Sequence, residues 1–211
     1  MKQLKLKVCG MREHTNILDV ALLRPDWMGF IFFEKSPRFV GNGFSIPSGL
    51  PDDVTRVGVF VNERPEEIDR LANRHQIEFL QLHGDEPPEF CEAMRAKGYQ
   101  VMKAFGINDD FDFQSLDVYQ HAVDYFLFDT KGKHYGGNAR TFDWSILKRY
   151  HQHVPFLLSG GLNVNNIDGI GELKGMNLFG VDINSGAELS PGLKNTELVK
   201  RIKEKLQTIT I

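Results

Sequence analysis

The chain has 211 residues, 41% hydrophobic and 25% charged, with a formal net charge of −3. That length suits one domain with a full hydrophobic core, and the balance argues against a disordered chain and against an overall basic footprint for nucleic acid. Two cysteines are too few for a disulfide framework, no C-x-x-C spacing suggests zinc, and no apolar run approaches the ~18 residues of a membrane helix.

The N-terminal Met1-Lys2-Gln3-Leu4 enters structure at once, without a signal peptide's long apolar region, so a reducing, cytoplasmic setting is expected. A first β-rich run, LKLKV from Leu4, ends on Cys9 and Gly10. A thiol at a strand end, where glycine lets the backbone turn, can face a ligand, although a lone free cysteine more often packs as a small hydrophobe. Further runs begin at Met28 (MGFIFF), Thr55 (TRVGVFV), Phe79 (FLQLH), Gln100 (QVMKAF), Tyr125 (YFLFD), Phe156 (FLLS) and Leu178 (LFGVDI). Successive starts lie 21 to 31 residues apart, room for one helix and two loops. The runs are nearly continuous in apolar residues, as parallel strands buried on both faces require.

Helical signals fall between them. Pro65 with Glu66 and Glu67 opens a helix with Ile68, Leu71 and Ala72 inward. Asp85, Pro87 and Pro88 open another that carries Phe90, Cys91 and Met94 and closes near Gly98, which makes Cys91 a core thiol. After Asn195, Leu198, Val199, Ile202 and Leu206 form a last amphipathic face. Further helix starts are expected near Thr141 and at Asn163, whereas Gly43, Pro47, Gly49 and Pro51 leave little room for a regular second helix. Eight such units predict an α/β fold, a (β/α)8 TIM barrel forming a single domain over residues 1–211 with few insertions. The alternative, an open doubly wound sheet, would usually announce a G-x-G-x-x-G turn after its first strand, and Cys9-Gly10-Met11-Arg12 is not one.

In such a barrel, chemistry gathers at the C-terminal ends of the strands. Those positions hold Cys9, the Lys35-Ser36-Pro37-Arg38 loop, Asn62, Gln81 and His83, Lys103, Asp129, Ser159-Gly160-Gly161 and Asp182-Ile183-Asn184-Ser185-Gly186. Singly, each has a plainer reading: Arg38 a solvated charge, Asp129 a cap or ion-pair partner, His83 a structural histidine. Their shared rim is the stronger signal. His83 and Asp182 are read as substrate contacts. The turns around Gly160-Gly161 and Ser185-Gly186 let backbone N–H groups approach an anion, at the corner where barrels often bind phosphate. From Asp129 to Gly137 runs a long irregular stretch of the kind that forms binding loops. Asp129, His134 and His83 lack metal-ligand spacing, so no metal is expected.

These residues, in this order, make the chain resemble phosphoribosylanthranilate isomerases of tryptophan biosynthesis. The resemblance runs through KVCGM, GFIFFEKSPRFV, RVGVFVN, QLHGDE, LFDT followed by GG and FDW, LSGGLN, and VDINSGAE followed by PGLK. It implies a cofactor-free barrel acting on a small phosphorylated aminosugar, with no nucleic-acid or membrane partner, as a monomer or weak homodimer. The implied reaction is an Amadori rearrangement of N-(5-phosphoribosyl)anthranilate to the 1-deoxyribulose 5-phosphate. Cys9 is then the general base and Asp129 the general acid, Arg38 faces the anthranilate carboxylate, and the SGG and NSG turns hold phosphate. One departure is Asn138-Ala139-Arg140, where the family usually has a small hydroxyl residue and another glycine after the paired glycines.

The residue types suit that chemistry. Asp129 protonates the ring oxygen as the ribose opens, and a Cys9 thiolate removes the carbon-bound proton next to the imine. An ordinary thiol titrates near ~8.5, and nearby positive charge or helix N-termini are expected to bring Cys9 below that value and below Cys91. Two other classes share the phosphate corner. A sugar-phosphate epimerase needs metal-binding histidines, an indole-glycerol-phosphate synthase needs catalytic lysines and a glutamate, and Lys103 is the one lysine at a suitable strand end. A non-catalytic phosphate-binding barrel would not need Cys9 and Asp129 together.

Overall fold

Eight short parallel strands close on themselves in the computed structural model, which describes residues 3–130 and 143–209. They are β1 (Lys5–Val8), β2 (Trp27–Ile31), β3 (Thr55–Phe60), β4 (Phe79–Leu82), β5 (Gln100–Ile107), β6 (Tyr125–Thr130), β7 (Phe156–Leu158) and β8 (Leu178–Ile183). Each matches one of the predicted runs. β1 closes the cylinder against β8, with Lys5 opposite Gly180 and Lys7 opposite Asp182, so the sheet has no free edge.

Alternate strand residues point to the barrel axis or to the outer layer. Leu6, Val8, Phe126 and Phe128 belong to the large outer core between sheet and crossovers. Inside, Trp27, Phe79, Tyr125 and Phe179 come from β2, β4, β6 and β8 and pack ring on ring, with centroids 4.8 Å apart for Trp27–Phe79 and 4.7 Å for Tyr125–Phe179. Four residues from alternate strands make one filled layer, so the barrel has a floor rather than a pore. Cys9, Ile31 and Val59 cluster separately.

β8 breaks its own alternation. Phe156 pairs with Leu178 but Leu157 with Gly180, an extra residue that shifts the strand's parity. Phe179 and Asp182, three apart, therefore both face the axis. Gly180 is required there, because a Cβ would overlap the Lys5 carbonyl oxygen.

Three crossovers carry α-helices, α1 (His14–Leu22), α2 (Pro65–His75) and α3 (Pro88–Ala96), and α4 (Thr196–Thr208) follows the last strand. α2 begins at its proline with Glu66 and Glu67 in the first turn and buries Ile68 and Ala72. α3 buries Cys91 and Met94. In α4 the Asn195 side chain accepts the Glu197 and Leu198 N–H groups, and Val199, Ile202 and Leu206 are buried. No helix joins β2 to β3.

The expectation of a full helix per unit is corrected in three crossovers, which hold 3-10 segments at Phe113–Tyr119, Trp144–Arg149 and Ile167–Leu173. Six or seven residues give little length for an α-helix, and Gly169 and Gly171 weaken the last one further. Asn163 does not start a helix. Its side chain accepts the Asn165 N–H at 2.9 Å while its own N–H donates to Asn166 Oδ1 at 2.8 Å, a local turn that delays the 3-10 segment to Ile167. The expected helix start near Thr141, the stretch after Thr130 with His134, and Asn138-Ala139-Arg140 lie outside the described residues. After β8 the chain makes an unpredicted hairpin, β9 (Glu188–Ser190) with β10 (Leu193–Lys194). Among the described residues no helix is long and apolar enough to cross a membrane.

Candidate active site

The strand ends converge on one cleft. Cys9, Arg38, His83, Asp129, Gly160, Gly161, Asp182, Ser185 and Gly186 all line it. Asn62 and Lys103, also placed on the predicted rim, do not. Asn62 donates from Nδ2 to Asp85, and Lys103 is buried, 3.2 Å from Glu86 and donating to the Gly84 carbonyl at 2.7 Å. Among the described residues no group of histidine, cysteine and carboxylate side chains is arranged to hold a metal.

Cys9 follows β1, its N–H donating to the Ile183 carbonyl at 2.9 Å. Two residues earlier on the same face, Lys7 is fully buried and donates to Asp182 Oδ1 at 2.9 Å. Asp182 Oδ2 faces the Ser159 hydroxyl at 3.5 Å. Burial alone would lower the Lys7 ammonium, but Asp182 and the neighbouring Cys9 outweigh it, so Lys7 is held charged. Burial pushes the Cys9 thiol up, with Lys7 and Lys194 pulling against it. The expectation of a thiol below the ordinary range is thus corrected, because desolvation outweighs the nearby positive charge. Burial raises Cys91 as well, to about 12.

Across the cleft, Asp129, next to last in β6, is almost fully buried, and its Oδ1 accepts the Thr130 N–H at 2.9 Å. Its Oδ2 lies 3.6 Å from His83 Nε2. Gln81 Nε2 donates to His83 Nδ1 at 2.8 Å, which puts the ring proton on Nε2, facing Asp129. Gln81 Oε1 is buried in the cleft wall with no hydrogen-bond partner among the described residues, an acceptor suited to a ligand donor.

Arg38 is buried, not a solvated loop charge. Its Nε donates to Glu188 Oε1 at 2.9 Å and its Nη2 to Glu188 Oε2 at 2.7 Å. Glu188 also accepts from Lys194 Nζ at 2.5 Å and from the Gly192 N–H at 3.1 Å. Burial works against the Glu188 carboxylate, but Arg38 and Lys194 hold it below its ordinary range. Burial brings Lys194 down to about 8 despite Glu188. This clamp leaves Arg38 Nη1 with no hydrogen bond among the described residues, in a side chain fixed at the cleft wall.

At the glycine corner, Gly160 and Gly161 have φ of +89° and +66°. A Cβ on Gly160 would stand 2.5 Å from the Thr130 nitrogen, and one on Gly186 would collide with the Leu162 carbonyl oxygen, so the two turns interlock. Asn163 and Asn166 donate from Nδ2 to the Gly161 carbonyl at 3.0 Å each. The Leu162 N–H of that trans peptide therefore points away from them. With Ser159, Leu162 and Ser185 as the other lining groups, this corner offers, among the described residues, N–H and hydroxyl donors rather than a cation.

Lys7, Glu188 and Lys194 were not singled out from the sequence. For Lys7 a signal existed, a lysine at the alternate position to Cys9 within an apolar strand. Glu188 and Lys194 close the VDINSGAE and PGLK blocks, but no role was read from either, because the hairpin that carries them was not predicted.

A profile of the N-(5'-phosphoribosyl)anthranilate (PRA) isomerase family matches residues 6–205. The chain is 43% identical over 206 residues to N-(5'-phosphoribosyl)anthranilate isomerase of Phocaeicola vulgatus, covering 96% of this chain and 99% of that one. It also superimposes on the crystal structure of phosphoribosyl anthranilate isomerase from Thermotoga maritima with a TM-score of 0.81 and 34% identity, over 96% of this chain and 98% of that one. A phosphoribosyl anthranilate isomerase solved with reduced 1-(o-carboxyphenylamino)-1-deoxyribulose 5-phosphate is similar at a TM-score of 0.78 and 31% identity, over 96% and 98% of the two chains.

Proposed function

The chain belongs to the phosphoribosylanthranilate isomerase family, and from that membership we propose that it isomerises N-(5'-phosphoribosyl)anthranilate in tryptophan biosynthesis, as one catalytic barrel. The supporting observation is that an acid, a thiol, a clamped guanidinium and two interlocked glycine turns line one cleft. Asp129 donates a proton to the ring oxygen as the C1–O bond breaks, and the nitrogen lone pair forms the C1=N bond. Cys9 then takes the C2 proton, and the C2–H electron pair forms C1=C2 as the iminium collapses to an enolamine. The enolamine becomes the ketone, with no net redox change. His83 and Asp182 flank the sugar, while Gly160, Gly161, Ser185 and Gly186 hold the phosphate through backbone donors.

The decisive assay follows the loss of fluorescence of the aminoribosyl substrate, made in situ from anthranilate and phosphoribosyl pyrophosphate by the preceding enzyme. Turnover is expected. Binding of a reduced product analogue with no turnover would make this a phosphate-binding barrel instead.

Arg38 meets the anthranilate carboxylate with its free edge. Arg38→Ala is expected to weaken a carboxylated product analogue by ~1.5–3 kcal/mol, about 10- to 150-fold. Calorimetry with and without the analogue's carboxylate checks this, and an equal loss for both analogues refutes the contact. At the glycine corner, inorganic phosphate is expected to inhibit competitively and raise the melting temperature, since a ligand that binds only the native state stabilises it. Gly161→Val puts a β-branched residue at φ +66° and is expected to remove both effects. Equal protection of wild type and variant would put the anion elsewhere.

A further inference from the structure

We propose that Lys7 is a positioning residue for the thiol: its ammonium, anchored by Asp182, is the counter-cation of the Cys9 thiolate. The inference rests on the reading of Cys9 as the base. Lys7 on β1 and Cys9, just past its end and still bonded to Ile183 of β8, are two apart, so both side chains point to the barrel axis. Neither is solvated, with Lys7 0% and Cys9 3% exposed. The next strand is cut back to glycine where they meet. A Cβ on Gly29 would stand 2.8 Å from Cys9 Sγ and 3.2 Å from Lys7 Nζ, so the two groups share the space a side chain there would fill.

A buried ammonium needs a paired charge, and Asp182, turned inward by the β8 bulge, supplies one at 2.9 Å. When Cys9 ionises, the ammonium has a second anion within reach. Among the described residues, the charged and titratable groups facing the thiol are Lys7 on β1, Asp182 on β8 and Lys194 on β10, with Asp129, His83 and Arg38 across the cleft. Of the near three, the two lysines favour the thiolate and Asp182 opposes it. Lys194 is held by Asn184 and Glu188, whereas Lys7 shares the space beside Gly29 with the sulfur, so Lys7 is the cation beside it.

The geometry dictates opposite responses to removing either member of the pair. Lys7→Met should raise the pH at which Cys9 is alkylated, slowing iodoacetamide labelling about tenfold or more at fixed neutral pH, since only the thiolate reacts. Asp182→Asn removes the opposing anion and should lower that pH and speed labelling. Peptide mass spectrometry of Cys9, with Cys91 as internal control, reads both. The acidic limb of kcat/KM should move the same way in each variant. A structural ion pair alone would perturb both variants alike, so shifts of the same sign, or none, overturn the proposal. If Lys7→Met does not fold, Asp182→Asn decides alone: no shift, or an upward one, refutes it. Opposite labelling shifts in a chain whose Cys9→Ala variant still turns over would instead uphold the Lys7–Cys9 pair and refute Cys9 as the base.

Discussion

Asp129→Asn is expected to lower kcat by about 10²- to 10⁴-fold, the range a positioned general acid contributes. The asparagine amide has the same shape and still offers an oxygen to the Thr130 N–H, so the β6 terminus and the fold are retained. What it lacks is a proton to give to the departing ring oxygen. Its NH2 group would also oppose the His83 Nε2–H, an arrangement relieved when the ring shifts its proton or the amide turns. Fluorescence-monitored turnover, thermal unfolding and binding of the reduced product analogue separate these effects. The expected pattern is lost turnover with melting temperature and analogue affinity close to wild type. Turnover within tenfold of wild type would remove Asp129 from the proton-transfer chemistry.

Cys9→Ala is expected to cost at least as much, because nothing remains to take the carbon-bound proton. Its structural cost is small: one sulfur is lost, and Lys7 keeps its bond to Asp182. The wild-type pH profile carries its own sign. Burial raises the thiol, so in the free enzyme the base is protonated through the neutral range and the thiolate fraction climbs with pH. kcat/KM should therefore rise with pH toward a limb at or above the ~8.5 of an ordinary thiol. Cys9→Ser should abolish that limb along with the activity, a hydroxyl being far weaker as an acid. Appreciable turnover by Cys9→Ala, or an acidic limb well below the ordinary thiol range, would refute Cys9 as the base.

The eight strands were legible in the sequence because a strand buried on both faces leaves an unbroken apolar run, a property of neighbours in the chain. The glycine corner was legible for a similar reason: the +89° and +66° φ of Gly160 and Gly161 are a local demand that glycine meets. Knowing where strands end then brought Cys9, Arg38, His83, Asp129 and Asp182 to one rim. The electrostatic state of that rim was not legible. Lys7 and Asp182 are 175 positions apart, and their pairing depends on closure of the barrel and on a bulge that no local pattern announced. Arg38 and Glu188 are 150 apart and meet only because an unforeseen hairpin brings Glu188 beside the guanidinium. The upward direction of the Cys9 thiol follows from how completely the closed barrel excludes water, balanced against those same distant charges. Chain neighbours set backbone conformation and the apolar pattern, whereas desolvation and ion pairing act through space and take their values only once the barrel has closed.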